Sequence, residues 1–365
     1  MDGRGEGCEP RLHLMPAPVE SYSPGLAVEI GKIDKELKKL WEQNEGATRA
    51  SLVNLAVYSE SPDSLPSNTR LISEFTQDLA CRAIVIEADP TRKENQVEAW
   101  ISAHCHVSRA GSKQICSEQL SFRLQGPCAN LLPNIVFSQL DSDLPFLLWW
   151  QGEFHDPIDA QLWAWVDRLI YDSQIWTNFT KQLQLLESAQ RQARQRVVLC
   201  DLNWTRLDKI RLALAQFFDH PASHHHFQHI ERGEIVFAPS YRSTGLLLAG
   251  WLAAQLQWRV EGKGAADKLT FLNSDGHRIE IGLREEPGEP VGKISLVSAG
   301  VEFQVTHRPH ADLLEVSRGK PGQASTPQVM PAGSNEIVRL MADELNRGGP
   351  HQVYLRAIHC VRALL

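Results

Sequence analysis

Five histidines crowd one short stretch: His220, His224, His225, His226 and His229. On a helix, His225 and His229 stand one turn apart, a spacing that can share a zinc ion. No cysteine or carboxylate pattern accompanies them, so a solvated loop after Asp219-His220-Pro221 is the favoured reading, and no metal is assigned. Asp141-Ser142-Asp143 has the spacing of the acidic metal pair of sugar-nucleotide enzymes, but a turn before Pro145 accounts for it more simply. Trp149 and Trp150 offer ring faces to a sugar. Successive strand residues point to opposite faces, so only one can face any site, and two core aromatics are the simpler account. The most informative stretch is Asp201-Leu-Asn-Trp-Thr-Arg206. Arg206 and Lys209 fall on the helix side away from Leu207 and Leu214, where a guanidinium can grip a partner carboxylate or a sugar phosphate. The alternative is local: Arg206 pairs within its own domain and Trp204 packs inward. Arg168 and Asp172 carry the same two readings.

The cysteines pose a geometric question. There are seven, an odd number at irregular spacing with no CxxC, which argues against a disulfide framework and for a reducing, cytoplasmic setting. Residues 97–107 and 114–124 alternate as the arms of a hairpin around Arg109-Ala-Gly-Ser112. With a four-residue loop, Ser108 faces Lys113 and Cys105 faces Cys116. Opposed strand residues bring their Cβ atoms to about 4.5–5.5 Å, close to disulfide reach. The pair is therefore a redox-switch candidate; the alternative is two reduced small hydrophobes, and one residue more or less in the loop abolishes the pairing. Cys360, on the last helix, is a second redox candidate without a named partner.

The elements that would hold these groups read as two units. A chain of 365 residues exceeds the size at which one core keeps growing. Its 42% hydrophobic and 22% charged content is that of a globular protein, and a net charge of -7 gives no footprint for nucleic acid. No apolar run spans a bilayer, and no secretory signal opens the chain. GxGxxG, GxxxxGK[ST] and GxSxG are all missing, so no cofactor is expected.

Residues 1–27 read as a loose tail. Residues 28–176 read as an α/β domain with a leading helix and a mixed sheet, on the strength of unalternated apolar strands at 51–58, 81–88 and 146–150 with helical segments between. Residues 177–365 read as an α+β domain: a helix over 204–218, a core helix over 245–256, antiparallel hairpins between 269 and 316, a loop over 318–333, and two terminal helices split by Gly348-Gly349-Pro350.

Four segments, in order, resemble those of the glucose-6-phosphate dehydrogenase assembly protein (OpcA) family of cyanobacterial type. They are Asp143-Leu-Pro-Phe-Leu-Leu-Trp-Trp-Gln-Gly152, Asp167-Arg-Leu-Ile-Tyr-Asp-Ser173, Asp201–Arg206 running into Leu214-Ala-Gln-Phe-Phe-Asp219, and Leu246-Leu-Leu-Ala-Gly-Trp-Leu-Ala. Leu79-Ala-Cys-Arg-Ala-Ile-Val-Ile86 is a weaker fifth, lacking the family's His-Pro, and Gln151 stands where relatives often have Pro. The resemblance implies a non-catalytic activator. It would bind the glucose-6-phosphate dehydrogenase oligomer, favour its active form and raise its apparent substrate affinity, under control linked to thioredoxin. It makes Trp204, Arg206, Lys209, Asp172 and Arg168 candidate partner contacts. The competing expectation is a sugar-phosphate-binding module or an enzyme on the same scaffold.

Overall fold

The computed structural model describes residues 23–42, 47–107, 114–156, 160–192, 197–219, 224–262, 267–309, 311–323, 326–349 and 351–365. Most of the proposed tail, the tip of the 97–124 hairpin, and His220 lie outside them.

Among the described residues, nine strands build the first sheet: β1 (Leu26–Val28), β2 (Ala47–Arg49), β3 (Val53–Ser59), β4 (Cys81–Asp89), β5 (Gln96–Val107), β6 (Gln114–Gln125), β7 (Phe146–Gln151), β8 (Arg168–Tyr171) and β9 (Val198–Asp201). The run β6-β4-β3-β7-β8-β9 is parallel throughout, and β5 and β1 extend it antiparallel. Counted from β3, this is the 3-2-1-4-5-6 order of doubly wound sheets, with the strand order reversing between β3 and β7. The apolar runs in β3, β4 and β7 follow from that position, since parallel strands are covered on both faces. Leu55 and Val57 enter one core and Ala56 and Tyr58 the other, as a period of two requires.

The helices of this half are α1 (Ile33–Glu42), α2 (Ser64–Phe75), α3 (Leu132–Gln139), α4 (Ala160–Trp163) and α5 (Phe179–Gln192). Then come α6 (Leu202–Thr205), α7 (Asp208–Asp219), α8 (His224–Gln228) and α9 (Arg242–Gln255). The helix expected over 204–218 is therefore broken. Leu207 N bonds Trp204 O at 3.1 Å, a tighter i to i+3 contact, and the chain turns at Arg206 and Leu207 before α7 begins.

The second sheet runs β11 (Arg259–Val260), β12 (Lys268–Leu272), β13 (Arg278–Glu285), β10 (Ile230–Phe237), β14 (Val291–Ser298), β15 (Val301–His307), β16 (Leu313–Gly319) and β17 (Gln328–Pro331). Its hairpins are antiparallel, but β10 inserts parallel to β13. β17 falls within the loop expected over 318–333; four backbone pairings with β16 order it, although Val329 stays exposed. Helices α10 (Ile337–Asn346) and α11 (Gln352–Leu364) close the chain.

One of the two apolar clusters runs through both halves. β9 pairs with β8, so the first sheet continues past residue 176, where the sequence reading ended it. Leu340 and Met341 of α10 pack with Leu65, Ile72 and Phe75 of α2 on the outer face of that sheet. Helix α11 lies against α9, where Gly250 gives the room: a Cβ there would meet Val361 Cγ2 at 2.4 Å and Ala357 O at 2.7 Å. A single apolar cluster runs from Ala56 and Leu169 to Ile235 and Phe303.

Candidate functional site

In doubly wound sheets, ligands sit beyond the carboxyl ends of the strands where the order reverses, with pyrophosphate on the first helix's N-terminus. Here that place is occupied by the chain itself. The β3–α2 connection, Glu60-Ser-Pro-Asp63, carries no glycine. Glu87, at the end of β4, accepts from Leu65 N at 3.1 Å and from Ser64 Oγ at 3.4 Å, so a carboxylate takes an amide of the first turn. Across the gap, Asn68 and Gln151 exchange amide hydrogen bonds of 3.0 and 2.8 Å. Gln151, the departure from the family's Pro, therefore helps shut the crevice. Arg123 holds Glu87 from behind at 2.7 Å.

The Asp201 motif builds the junction between the halves. Asp201 ends β9, is fully buried and accepts four hydrogen bonds. They come from Ser173 N (3.0 Å), Ser173 Oγ (2.7 Å), Asn203 N (3.0 Å) and Tyr354 Oη (2.8 Å). Tyr171 joins Tyr354 at 2.7 Å. Asn203 donates to Ser173 Oγ and to Ser243 Oγ and accepts from Thr244 Oγ1. Strand β9 and helices α6, α9 and α11 are thus tied through one satisfied polar network. Burial pushes the Asp201 carboxyl up to about 6, against the pull of its donors.

Arg206 forms a bidentate pair with Asp172 at 2.8 and 2.6 Å, the two side chains only 5% and 10% exposed. The structure thus brings together two of the proposed partner contacts, and it joins them to each other. Trp204 is buried against Tyr354, with the Arg211 guanidinium 3.4 Å above its ring. Arg168 is half-buried and donates to the Arg347 carbonyl at 3.0 Å. Lys209 is exposed and lines a cleft of about 200 Å³ with Arg206, Asp208, His307, Asn335 and Arg347. Of the five proposed contacts, Lys209 alone is exposed.

In the β5–β6 ladder, Cys105 stands opposite Cys116, and the two sulfurs are bonded at 2.03 Å. Cys105 is half-buried and Cys116 fully buried. Cys81, Cys128, Cys200 and Cys360 are free thiols. The histidine stretch does not converge among the described residues: His229 Nδ1 contacts the His225 carbonyl at 2.6 Å, and His226 is buried against Ser298. Trp149 and Trp150 both go to core, Trp150 against Tyr58 with ring centroids 4.1 Å apart. Asp141 closes a turn by accepting from Asp143 N.

The sequence reading missed Glu87, Asn68, Ser173 and Tyr354. Only Glu87, a charge ending an apolar strand, and the glycine-free β3–α2 connection carried a local signal.

Fold and site define a two-sheet α/β scaffold whose crevice at the strand-order reversal is closed by its own side chains and whose halves are locked by a buried polar junction. Residues 73–188 match the family model described as the glucose-6-phosphate dehydrogenase subunit N-terminal domain, and residues 197–358 match that of the C-terminal domain. The chain belongs to the OpcA family, cyanobacterial type.

It is 26% identical over 234 residues to the OxPP cycle protein OpcA of Nostoc punctiforme, covering 62% of this chain and 50% of the relative. To that of Synechocystis sp. it is 28% identical over 224 residues, covering 59% and 46%. The chain spans about half the length of these curated relatives. Among solved structures, a levoglucosan dehydrogenase in complex with NADH aligns over 87% of this chain and 96% of its own, with a TM-score of 0.46 and 10% identity. That similarity is too low to bear on activity. Among the described residues, no helix is long and apolar enough to cross a membrane.

Proposed function

We propose that this chain is a non-catalytic subunit that binds glucose-6-phosphate dehydrogenase, favours its active oligomer and raises its apparent affinity for glucose 6-phosphate. The observation that carries this is the ordered match of both family domains over residues 73–188 and 197–358. The closed crevice agrees: Glu87 stands on the helix terminus that a dinucleotide phosphate would need, so the cofactor belongs to the partner enzyme. Activation then works by linkage. The chain binds the high-affinity dehydrogenase conformer more tightly than the other, and substrate tightens the complex by the same factor, typically about 5–150-fold.

The Cys105–Cys116 bond is the proposed redox element, and a thioredoxin-type dithiol the proposed reductant. The reductant's thiolate attacks the half-buried Cys105 sulfur and Cys116 leaves as a thiolate that takes a proton; the reductant's second thiolate then attacks its own sulfur in the mixed disulfide, releasing Cys105 as a thiol.

The test is dehydrogenase velocity against glucose 6-phosphate, using enzyme from the same source, with and without this chain, oxidised and reduced. A lower half-saturating concentration or a higher velocity supports the reading. An unchanged curve with no complex in either redox state refutes it.

The second reading, a sugar-phosphate-binding module, rests on the cleft beside Lys209. Thermal shift with glucose 6-phosphate decides it, because a ligand of the native state raises the melting temperature.

A further inference from the structure

Three ionisable side chains that neither the crevice nor the polar junction uses meet behind Arg168. Cys200 comes from β9, Glu344 from α10, and His351 from the residue before α11. A ligating atom of each lies within 4.8 Å of the other two. Cys200 and Glu344 are fully buried, and the His351 side chain is 6% exposed.

Two polar atoms here lack hydrogen bonds. Glu344 Oε2 accepts from Thr205 Oγ1 at 2.7 Å and the Cys200 thiol bonds to the carboxylate, but Glu344 Oε1 has no well-directed hydrogen bond, and His351 Nε2 has none. Leaving such groups unpaired in the interior is costly, and of the two it is Glu344 Oε1, facing His351 Nδ1, that turns toward the cluster. Glu344 Oε1 lies 3.1 Å from His351 Nδ1. That is near the ligand–ligand edge of about 3.3 Å in a tetrahedron with bonds of about 2.0 Å. Thiol, imidazole and carboxylate together form a donor set suited to zinc, and hard cations such as magnesium prefer oxygen alone.

We propose that Cys200, Glu344 and His351 bind one zinc-class divalent ion, with water completing the tetrahedron. The ion ties the first sheet, through β9, to both terminal helices. Thr205 already fixes the carboxylate's orientation, as outer-shell hydrogen bonds do around metal ligands.

Three guanidiniums border the cluster, offset in part by one carboxylate. Arg168 lies 3.9 Å from Cys200 Sγ, Arg347 3.5 Å from Glu344 Oε2, and Arg211 close by, with Asp208 paired to Arg211 and Arg347. As ligands, the thiolate and the carboxylate bring two negative charges, which balance the charge of M²⁺.

The experiment uses the untagged full chain, stripped with chelator and titrated with Co²⁺. The expected result is one equivalent bound, with a near-ultraviolet thiolate-to-cobalt band that Zn²⁺ abolishes by displacement. Zn²⁺ should also raise the melting temperature. Cys200→Ser should lose the band. His351→Gln, at the edge of the cluster and checked for native circular dichroism, should weaken binding by about 10-fold or more, since even outer-shell losses cost that much. His225→Gln/His229→Gln should bind as the parent does. No bound equivalent, a band retained in Cys200→Ser, affinity unchanged in His351→Gln, or loss confined to the His225/His229 variant would each overturn the proposal.

Discussion

Replacing Arg206 by methionine separates a structural arginine from a partner contact. The variant keeps most of the aliphatic stem and removes the guanidinium that bonds both Asp172 oxygens at 2.8 and 2.6 Å. Charge centres about 4 Å apart attract by about 4 kcal/mol at an effective dielectric of about 20. With exposures of 5% and 10%, water does little to screen them. Without Arg206, Asp172 keeps the Gln174 amide at 3.1 Å but loses its counter-charge, and a buried charge stripped of its partner costs about 3–5 kcal/mol. Asp172→Asn preserves that acceptor and strands the arginine instead. The double variant Arg206→Met/Asp172→Asn buries no unpaired charge, so the two losses should fall short of adding by about 2–3 kcal/mol. Urea unfolding at pH 7, followed by tryptophan fluorescence with the m-value held as a check, measures all four proteins. If Arg206→Met stays within about 0.5 kcal/mol of the parent, the level of an ordinary surface change, yet loses dehydrogenase binding, the reasoning fails and Arg206 is a docking residue.

Three further outcomes follow from other parts of the molecule. Gly250→Ala forces a methyl to within 2.4 Å of Val361 Cγ2 and should destabilise by about 1–3 kcal/mol, read as a lower urea midpoint. Cys105→Ser frees a loop with a sequence separation of 11 and should cost ~3 kcal/mol on the chain-entropy estimate; an equal urea midpoint in oxidised parent and variant would mean the bond constrains nothing. Millimolar NADP⁺ should leave the melting temperature of the chain unmoved, because Glu87 holds the α2 terminus; a rise would show the crevice opens.

The sequence by itself located most of the buried strands and the longer helices, though it joined α6 to α7 and left β17 as loop. Unalternated runs such as 81–88 and 146–150 are intelligible only as buried parallel strands, and their local composition suffices to find them. It offered Cys105 across from Cys116 on one assumed loop length, and the ladder carries that register.

What lies far apart in the chain was decided by the tertiary structure. β9 looked like part of the second half until its pairing with β8 was formed, and β17 looked like loop because its order comes from β16 and not from its own residues. Arg206 could face out or in on any helical wheel; the Asp172 carboxylate, 34 residues away, settles its direction. The closed crevice joins Asn68 to Gln151 across 83 residues, and the junction joins Asp201 to Tyr354 across 153. A polar side chain reveals its type to the sequence, but whether it serves a ligand or another side chain depends on which distant donor the fold brings within about 3 Å.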